Sequence, residues 1–548
     1  MQYEAGSSSA VERVLDFAER IFRRADGPDE VVPKEHQPNW LDRPSRWRLY
    51  PGMPRIPLHS PADLHRGYSR LLPENTPAEK RVPTLEDLAL ALYLMAGPLK
   101  RKVDINWNAD PPLIAFARQE YTRGSASGGG LYPVQLYLVA GAGREPGAGV
   151  YHYSNLEHAL VPMRHGNWAD SLARAVSSGS QPHYAYYVVV AVDFWMSCFK
   201  YHNFGYHVCC EDTGTMLATL HLVCDALGID HRSLLAFEDR GANEVIGADG
   251  HRESVFAVVG VGGKSHPAAA VSRPGRVALP VPKPWQRSLG VNIPETLANI
   301  HTLTMVDGRE AGALIAAAES ARTGFEAGRR RPLDSQVSTG LPSILMSRKS
   351  AWSSMRGPAA IQLEQLVELL RFVWRHSQSS TNAPRETLPP GVLEIGLRVN
   401  DVVGMERGLY RWVPTADGLG SLQPASGEYL DLWQATYSMT NYNIDEVACT
   451  LFLIGNLRSA IEQYGARGYR ILNAHVGIAA QLAYVAAAAL QLDCGAVLGV
   501  RAQRVKQALE LDPDQNVFLA IYLSQAQKRV ELFSFNLLPD VQPCKPSL

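Results

Sequence analysis

The stretch KYHNFGYHVCCEDTGTMLATLHLVCDALGID, residues 200–230, has a counterpart in QYGARGYRILNAHVGIAAQLAYVAAAALQLD, residues 463–493. Tyr201, Gly205, Tyr206 and Gly214 correspond to Tyr464, Gly468, Tyr469 and Gly477 at one constant offset, from 201 to 464. Upstream of each lies an apolar strand-like run, YAYYVVVAVDF (184–194) and ACTLFLIGN (448–456). Downstream, after an alanine- and leucine-rich helix, comes a last strand, SVFAVVGVG (254–262) and NVFLAIYLS (516–524). Further out, Gly149-Val150-Tyr151-His152-Tyr153 answers Gly408-Leu409-Tyr410-Arg411-Trp412. Landmarks that recur in one order with little drift mark a duplicated domain. Helices wrapped about a few short strands make each copy α+β.

Both copies open with a helical pattern, the first at Pro83-Thr84-Leu85, where Thr84 and Asp87 are placed as a capping box, the second at Gln362-Leu363. The Pro-rich stretch 273–284 reads as a linker, followed by a helix at about 309–327 and a basic run, Arg329-Arg330-Arg331. The expected organisation is 1–48 as an N-terminal helix and strap, 49–270 as copy one, 271–339 as linker and helix, and 340–548 as copy two.

A chain of 548 residues holds two to four domains at roughly 100–200 residues each. Hydrophobic residues make up 46% and charged residues 20%, which excludes wholesale disorder. With 53 Lys+Arg against 54 Asp+Glu there is no basic footprint for a nucleic acid. No run of about 18 apolar residues suggests a membrane span. Glu4 stands where a signal peptide carries basic charge. Seven cysteines without paired CxxC spacing suit thiols in a reducing, cytoplasmic setting.

Three motifs could carry chemistry. Ser125-Ala126-Ser127-Gly128-Gly129-Gly130 lies before an apolar run, and its glycines let backbone N–H groups approach an anion or a flat ring. The same composition also describes a flexible turn. Arg348-Lys349-Ser350, with Ser353 and Arg356 close behind, offers cations and hydroxyls to a phosphate, or is an exposed basic loop. Copy one has no R-x-S in the matching stretch Tyr68–Pro73. Lys200-Tyr201, at the end of a strand-like run and beside Phe194, Trp195 and Phe199, could serve as base and proton partner, or Lys200 could snorkel at an element end. Copy two has Gln463-Tyr464 there. His202, His207 and His221 show no metal-ligand spacing, so no metal site is expected.

The chain resembles the nitroreductase superfamily of flavoproteins, and within it the azoline dehydrogenases that form thiazoles and oxazoles in peptides. The resemblance rests on Leu49-Tyr50-Pro51-Gly52-x-Pro54-Arg55-Ile56-Pro57, Ser127-Gly128-Gly129-Gly130-Leu131-Tyr132-Pro133, Gly149–Tyr153, Lys200-Tyr201-x4-Tyr206, Ala236–Asp239 and Asn243–Gly247. Copy two adds Arg348-x-Ser350 and Tyr464–Arg470. His202, Phe204 and His207 depart from the family's usual Gly, Arg and Arg.

The resemblance implies two tandem nitroreductase-like domains that form an intramolecular pseudo-dimer with FMN at their interface. Carried over, copy two contributes Arg348, Ser350, Leu498 and Gly499 to the cofactor, and copy one contributes Ser125, Ser127, Gly128 and Gly129. Lys200 and Tyr201 become the catalytic pair, and the reciprocal site is eroded. The implied activity is oxidation of thiazoline or oxazoline rings in a modified precursor peptide, with reoxidation by O2 and a cyclodehydratase as partner. An NAD(P)H-dependent flavin reductase and a non-catalytic peptide-binding scaffold are the rival readings.

Overall fold

A computed structural model describes residues 9–25, 31–59, 81–104, 118–177, 184–263, 281–320, 340–351, 355, 360–377, 392–415, 420–526 and 533–537. The Tyr68–Pro73 stretch, most of the Pro-rich linker, Arg329–Arg331, Ser353 and Arg356 lie outside them.

Two antiparallel sheets carry the repeat. The first runs Ile56–Pro57, Ala159–His165, Gly149–Ser154, Val134–Ala140, Tyr186–Asp193, Glu253–Val261, His231–Leu234 in spatial order. The second runs Ser421–Pro424, Gly408–Val413, Leu393–Val399, Cys449–Asn456, Gln515–Gln525, Leu492–Val497. Apart from the extra two-residue edge strand of the first, the orders are the same.

In the central strand Tyr186–Asp193, Tyr187, Val189 and Ala191 face one apolar cluster while Tyr186, Val188, Val190 and Val192 face another. Both faces of the first sheet are therefore covered, which is why its sequence reads as an unbroken apolar run.

Between the sheets lie the helices Gly205–Ala226 and Gly468–Ala489, buried on all sides apart from one residue each near the C-terminus. A side chain on Gly214 would put its Cβ 2.0 Å from the carbonyl oxygen of Ala474, and one on Gly477 would lie 2.0 Å from that of Glu211. Positions 211 and 474 are themselves repeat partners, so the contact is reciprocal, as in a two-fold interface. Tyr206 and Tyr469, another repeat pair, stack across it with ring centroids 6.0 Å apart. The helical stretch Leu457–Ala489 is long and apolar enough to cross a membrane, contrary to the expectation that no such run exists. It is 94% buried inside the protein, and its alanine-rich composition is that of a close-packed core helix.

The capping box at Thr84 and Asp87 forms as expected, but the helix it starts, Leu85–Ala96, is buried on nearly all sides. Copy two's opening helix, Leu363–Ser377, also lies where expected, and two further helices, Ala10–Arg23 and Glu295–Thr304, flank copy one. Each packs at the centre: Phe17 of the former against Tyr206 and Tyr469, and Thr304 of the latter against Tyr206 through a hydroxyl hydrogen bond. Phe533–Asn536 of the second half pairs with the Lys100–Asp104 strand of copy one. All six described cysteines are buried and free.

Gly477→Ala should destabilise the chain by about 3 kcal/mol or more, because a methyl group cannot enter a backbone contact of this closeness. Gly312→Ala, where the added Cβ meets open space in the helix Gly308–Ser320, should instead stabilise it by about 0.5–1 kcal/mol. Urea unfolding of the two variants decides the matter, and wild-type stability of Gly477→Ala would refute the close crossing.

Candidate active site

The strand Tyr186–Asp193 leads into a short helix, Trp195–Tyr201, so Lys200 and Tyr201 sit in its last turn and not at the strand's end as expected. The helix stops because His202 takes a positive φ of 50°. At the repeat-related position copy two has Gly465, with φ 58°. The chain path thus demands a conformation that glycine adopts freely, and copy one keeps an imidazole there at a strain of about 1–3 kcal/mol. His36 from the N-terminal strap lies against the His202 ring and 3.2 Å from the Lys200 carbonyl oxygen.

Facing the pair is the glycine turn. Gly129 and Gly130 have φ values of 62° and 65°, and both are exposed. A Cβ on Gly129 would stand 2.3 Å from the Tyr201 hydroxyl and 2.8 Å from Lys200 Nζ. Only a glycine lets the backbone lie this close to both reactive atoms. Beyond Gly130 there is open space.

The turn is clamped from behind by the two central helices. Asp212 accepts hydrogen bonds from Ser127 Oγ at 2.5 Å and from the Gly128 N–H at 2.8 Å. Ser125 Oγ donates to Thr219 at 2.8 Å, and Thr215 donates to the Ala126 carbonyl at 2.7 Å. Gln481, from copy two, accepts from the Ala126 N–H and donates to the Gly124 carbonyl, each at 2.9 Å. Sequence reading missed Asp212, Thr219 and Gln481. Their spacing is that of ordinary helix residues, and only the crossing aims them at one loop. Burial, the largest influence, raises the Asp212 carboxyl to about 7 despite its two donors. Burial also pushes the Tyr201 phenol well above its usual value, with the Asp212 charge adding to it.

Arg348 of copy two does come to this loop, while Ser350 lies against Tyr484. Arg348 Nε and Nη2 donate to the carbonyls of Gly124 and Arg123, each at 2.9 Å. Ser350 Oγ meets the Tyr484 hydroxyl at 2.9 Å, and Lys349 pairs with the buried Asp493 at 2.9 Å. Gly499 accepts from Ser438 through its carbonyl, and the Leu498 carbonyl accepts from Arg24. The structure therefore gathers residues of both copies around one glycine turn. The Ser125 and Ser127 hydroxyls, however, bond inward to Thr219 and Asp212, and a carboxylate behind the loop is a poor neighbour for a phosphate. The turn fits the flat, uncharged side of a flavin better than its phosphate.

At the reciprocal position Gln463 Nε2 donates to Tyr464, while Arg467 and Arg470 both pair with the fully buried Asp239, at 2.6 and 2.9 Å. His221 bonds Ser233 and His207 bonds Tyr469, and no cluster among the described residues could hold a metal ion.

The nitroreductase family model matches residues 412–523, within copy two. The microcin B17-processing protein McbC of Escherichia coli is 34% identical over 122 residues, 21% of this chain and 44% of that protein, so the match spans less than half of the relative. A crystal structure from Anabaena variabilis, assigned as a nitroreductase, covers 94% of this chain and 99% of its own at a TM-score of 0.67 and 20% identity. The E. coli microcin synthetase McbBCD complex with truncated pro-MccB17 bound covers 48% of this chain at 21% identity, with a TM-score of 0.27. The architecture is that of two tandem nitroreductase-like domains.

His202→Gly should raise stability by about 1 kcal/mol, because glycine relieves the positive φ that the imidazole strains. Thermal unfolding measures it, and a lower melting temperature would count against strain at this position. Asp212 supplies a second outcome. Its proton is held more tightly in the folded than in the unfolded chain, so stability falls as pH rises from about 4 to about 7. Asp212→Asn should remove that part of the slope. An unchanged pH profile of unfolding would mean that the carboxylate is charged throughout.

Proposed function

We propose that the chain is an FMN-dependent dehydrogenase that oxidises thiazoline or oxazoline rings in a peptide to thiazoles or oxazoles. The observation that carries this reading is the meeting of Lys200 Nζ and Tyr201 OH at the exposed glycine turn, whose preceding residues Arg123 and Gly124 are held by Arg348 from the other copy. The partial likeness to McbC supports the same class of chemistry.

When bound, FMN would take the hydride from the ring carbon next to Cα. Gly129 and Gly130 of copy one and Arg348, Ser350, Leu498 and Gly499 of copy two are the residues that would hold it. Aromatisation also requires loss of the Cα proton. Burial holds the Tyr201 phenol protonated, so it can donate and orient, and we assign removal of the Cα proton to Lys200, which does so from its neutral amine form. Fixing both groups in one helical turn, against a backbone that cannot recede, supplies orientation before the substrate arrives.

An open apolar rim beside Lys200 favours a peptide over a small molecule. Trp40 lies 6.0 Å from Lys200 Nζ and is 50% exposed, while Leu41 and Leu289 are 91% and 99% exposed. Asp42 ties the two straps that carry them, accepting the N–H of Leu289 at 2.7 Å. Contiguous exposed apolar side chains of this kind mark surfaces that bind chains. A modified precursor peptide as substrate and a cyclodehydratase as partner belong to this reading.

The purified protein should be yellow with about one FMN per chain, because Arg467, Arg470 and Asp239 fill the reciprocal position. Lys200→Ala should keep that spectrum and lose dehydrogenation of an azoline peptide by roughly 10²–10⁴-fold. Gln463→Ala should leave the rate unchanged. Wild-type turnover by Lys200→Ala, or bleaching of the flavin by NAD(P)H without peptide, would favour a flavin reductase. A colourless protein that takes up no FMN would favour a scaffold.

A further inference from the structure

Repeat-related positions allow the two halves to be compared group by group. In one half, Arg467 Nε donates to the Leu235 carbonyl at 3.1 Å, Nη1 meets Asp239, and the guanidinium lies 4.4 Å over the Phe237 ring. Shifted by the repeat, positions 467, 470, 235 and 239 become Phe204, His207, Leu498 and Ala502. Copy one thus has neither arginine, and the second half has no carboxylate at the position that would pair with them.

The Leu498 carbonyl nevertheless receives a guanidinium. It comes from Arg24, at the end of the helix Ala10–Arg23, whose Nη2 donates to Leu498 O and whose Nη1 donates to Ile21 O at 2.6 Å. The Arg24 guanidinium lies 4.0 Å over the ring of Phe204, the residue that stands at the position related to Arg467. Arg501 secures the same helix end by donating to the Ala25 carbonyl. Phe22 packs on His207 and Phe518, which fixes the helix against the substituted positions.

We propose that Arg24 replaces, from the N-terminal helix, the arginine that copy one lacks at position 204, and that it is a positioning residue for the 498–499 segment. A charged donor on a half-buried carbonyl holds a loop more firmly than a neutral one. The cation–π contact explains why an aromatic residue, and not a small one, follows the arginine at 204. That the 498–499 segment borders the flavin rests on the function proposed above. That Arg24 holds the segment does not.

The test is a double-mutant cycle of Arg24→Ala and Phe204→Arg in the full chain, read by amide hydrogen exchange of residues 498–501 without flavin and by FMN affinity. Arg24→Ala should speed exchange there by about tenfold and weaken FMN binding to a similar degree. The double variant should recover both to within about threefold of wild type, because an arginine at 204 reaches the carbonyl as Arg467 reaches Leu235. Unchanged exchange in Arg24→Ala overturns the proposal, as does a folded double variant with no recovery. If Arg24→Ala does not fold, Arg24→Gln, which keeps a shorter neutral donor, should show the faster exchange and its recovery by Phe204→Arg. Should the wild type bind no FMN, the functional reading fails, while the exchange measurements still decide the role of Arg24.

Discussion

The closeness of the helices Gly205–Ala226 and Gly468–Ala489 sets the distances on which the rest of the molecule depends. Gly214 and Gly477 let each backbone lie against the other at 211 and 474, and any side chain there would drive the helices apart. Because the crossing is so tight, groups on both helices reach the same loop. Asp212, Thr215 and Thr219 come from one helix and Gln481 from the other, and all bond within Gly124–Gly128. The glycine turn is rigid because its hydrogen bonds end on two helices that cannot move independently. A single domain could not build it.

The two halves keep one architecture and have divided its chemistry. Arg467 and Arg470 of copy two and Asp239 of copy one form a buried ionic cluster between the halves that also holds the Glu295–Thr304 helix end, through the Thr304 carbonyl. Such clusters are costly to desolvate and strongly destabilising to break, which suits a position kept for structure. Copy one also carries Lys200, Tyr201 and the strained His202. Strain persists where surrounding structure over-determines it, and here the His36 contact and the fixed strand before it do so. The two repeat-related positions therefore carry different side chains on one backbone plan.

Burial governs the electrostatics around the pair. The Asp212 carboxyl, the Tyr201 phenol and the Glu211 carboxyl are all shifted upward chiefly by desolvation. The Ser125 and Ser127 hydroxyls behind the glycine turn bond to Thr219 and Asp212 and so brace the loop.

Much of this was legible in the sequence. Periodic apolar runs, the Thr84–Asp87 cap and the constant offset from 201 to 464 depend on local backbone geometry and on repetition, so they specify elements and their order without tertiary knowledge. The association of Arg348 with the Ser125–Gly129 loop followed from a family resemblance, and spacing alone would not have given it. What only the tertiary structure decided are contacts between residues hundreds of positions apart. Asp212 behind Ser127, Gln481 against Ala126 and Arg24 over Phe204 have no sequence signal, because each residue is unremarkable in its own helix and acquires its partner only when the helices cross. His202 is the mixed case. Its departure from glycine is visible in the sequence, but the positive φ that makes it strained is set by the turn between two packed helices.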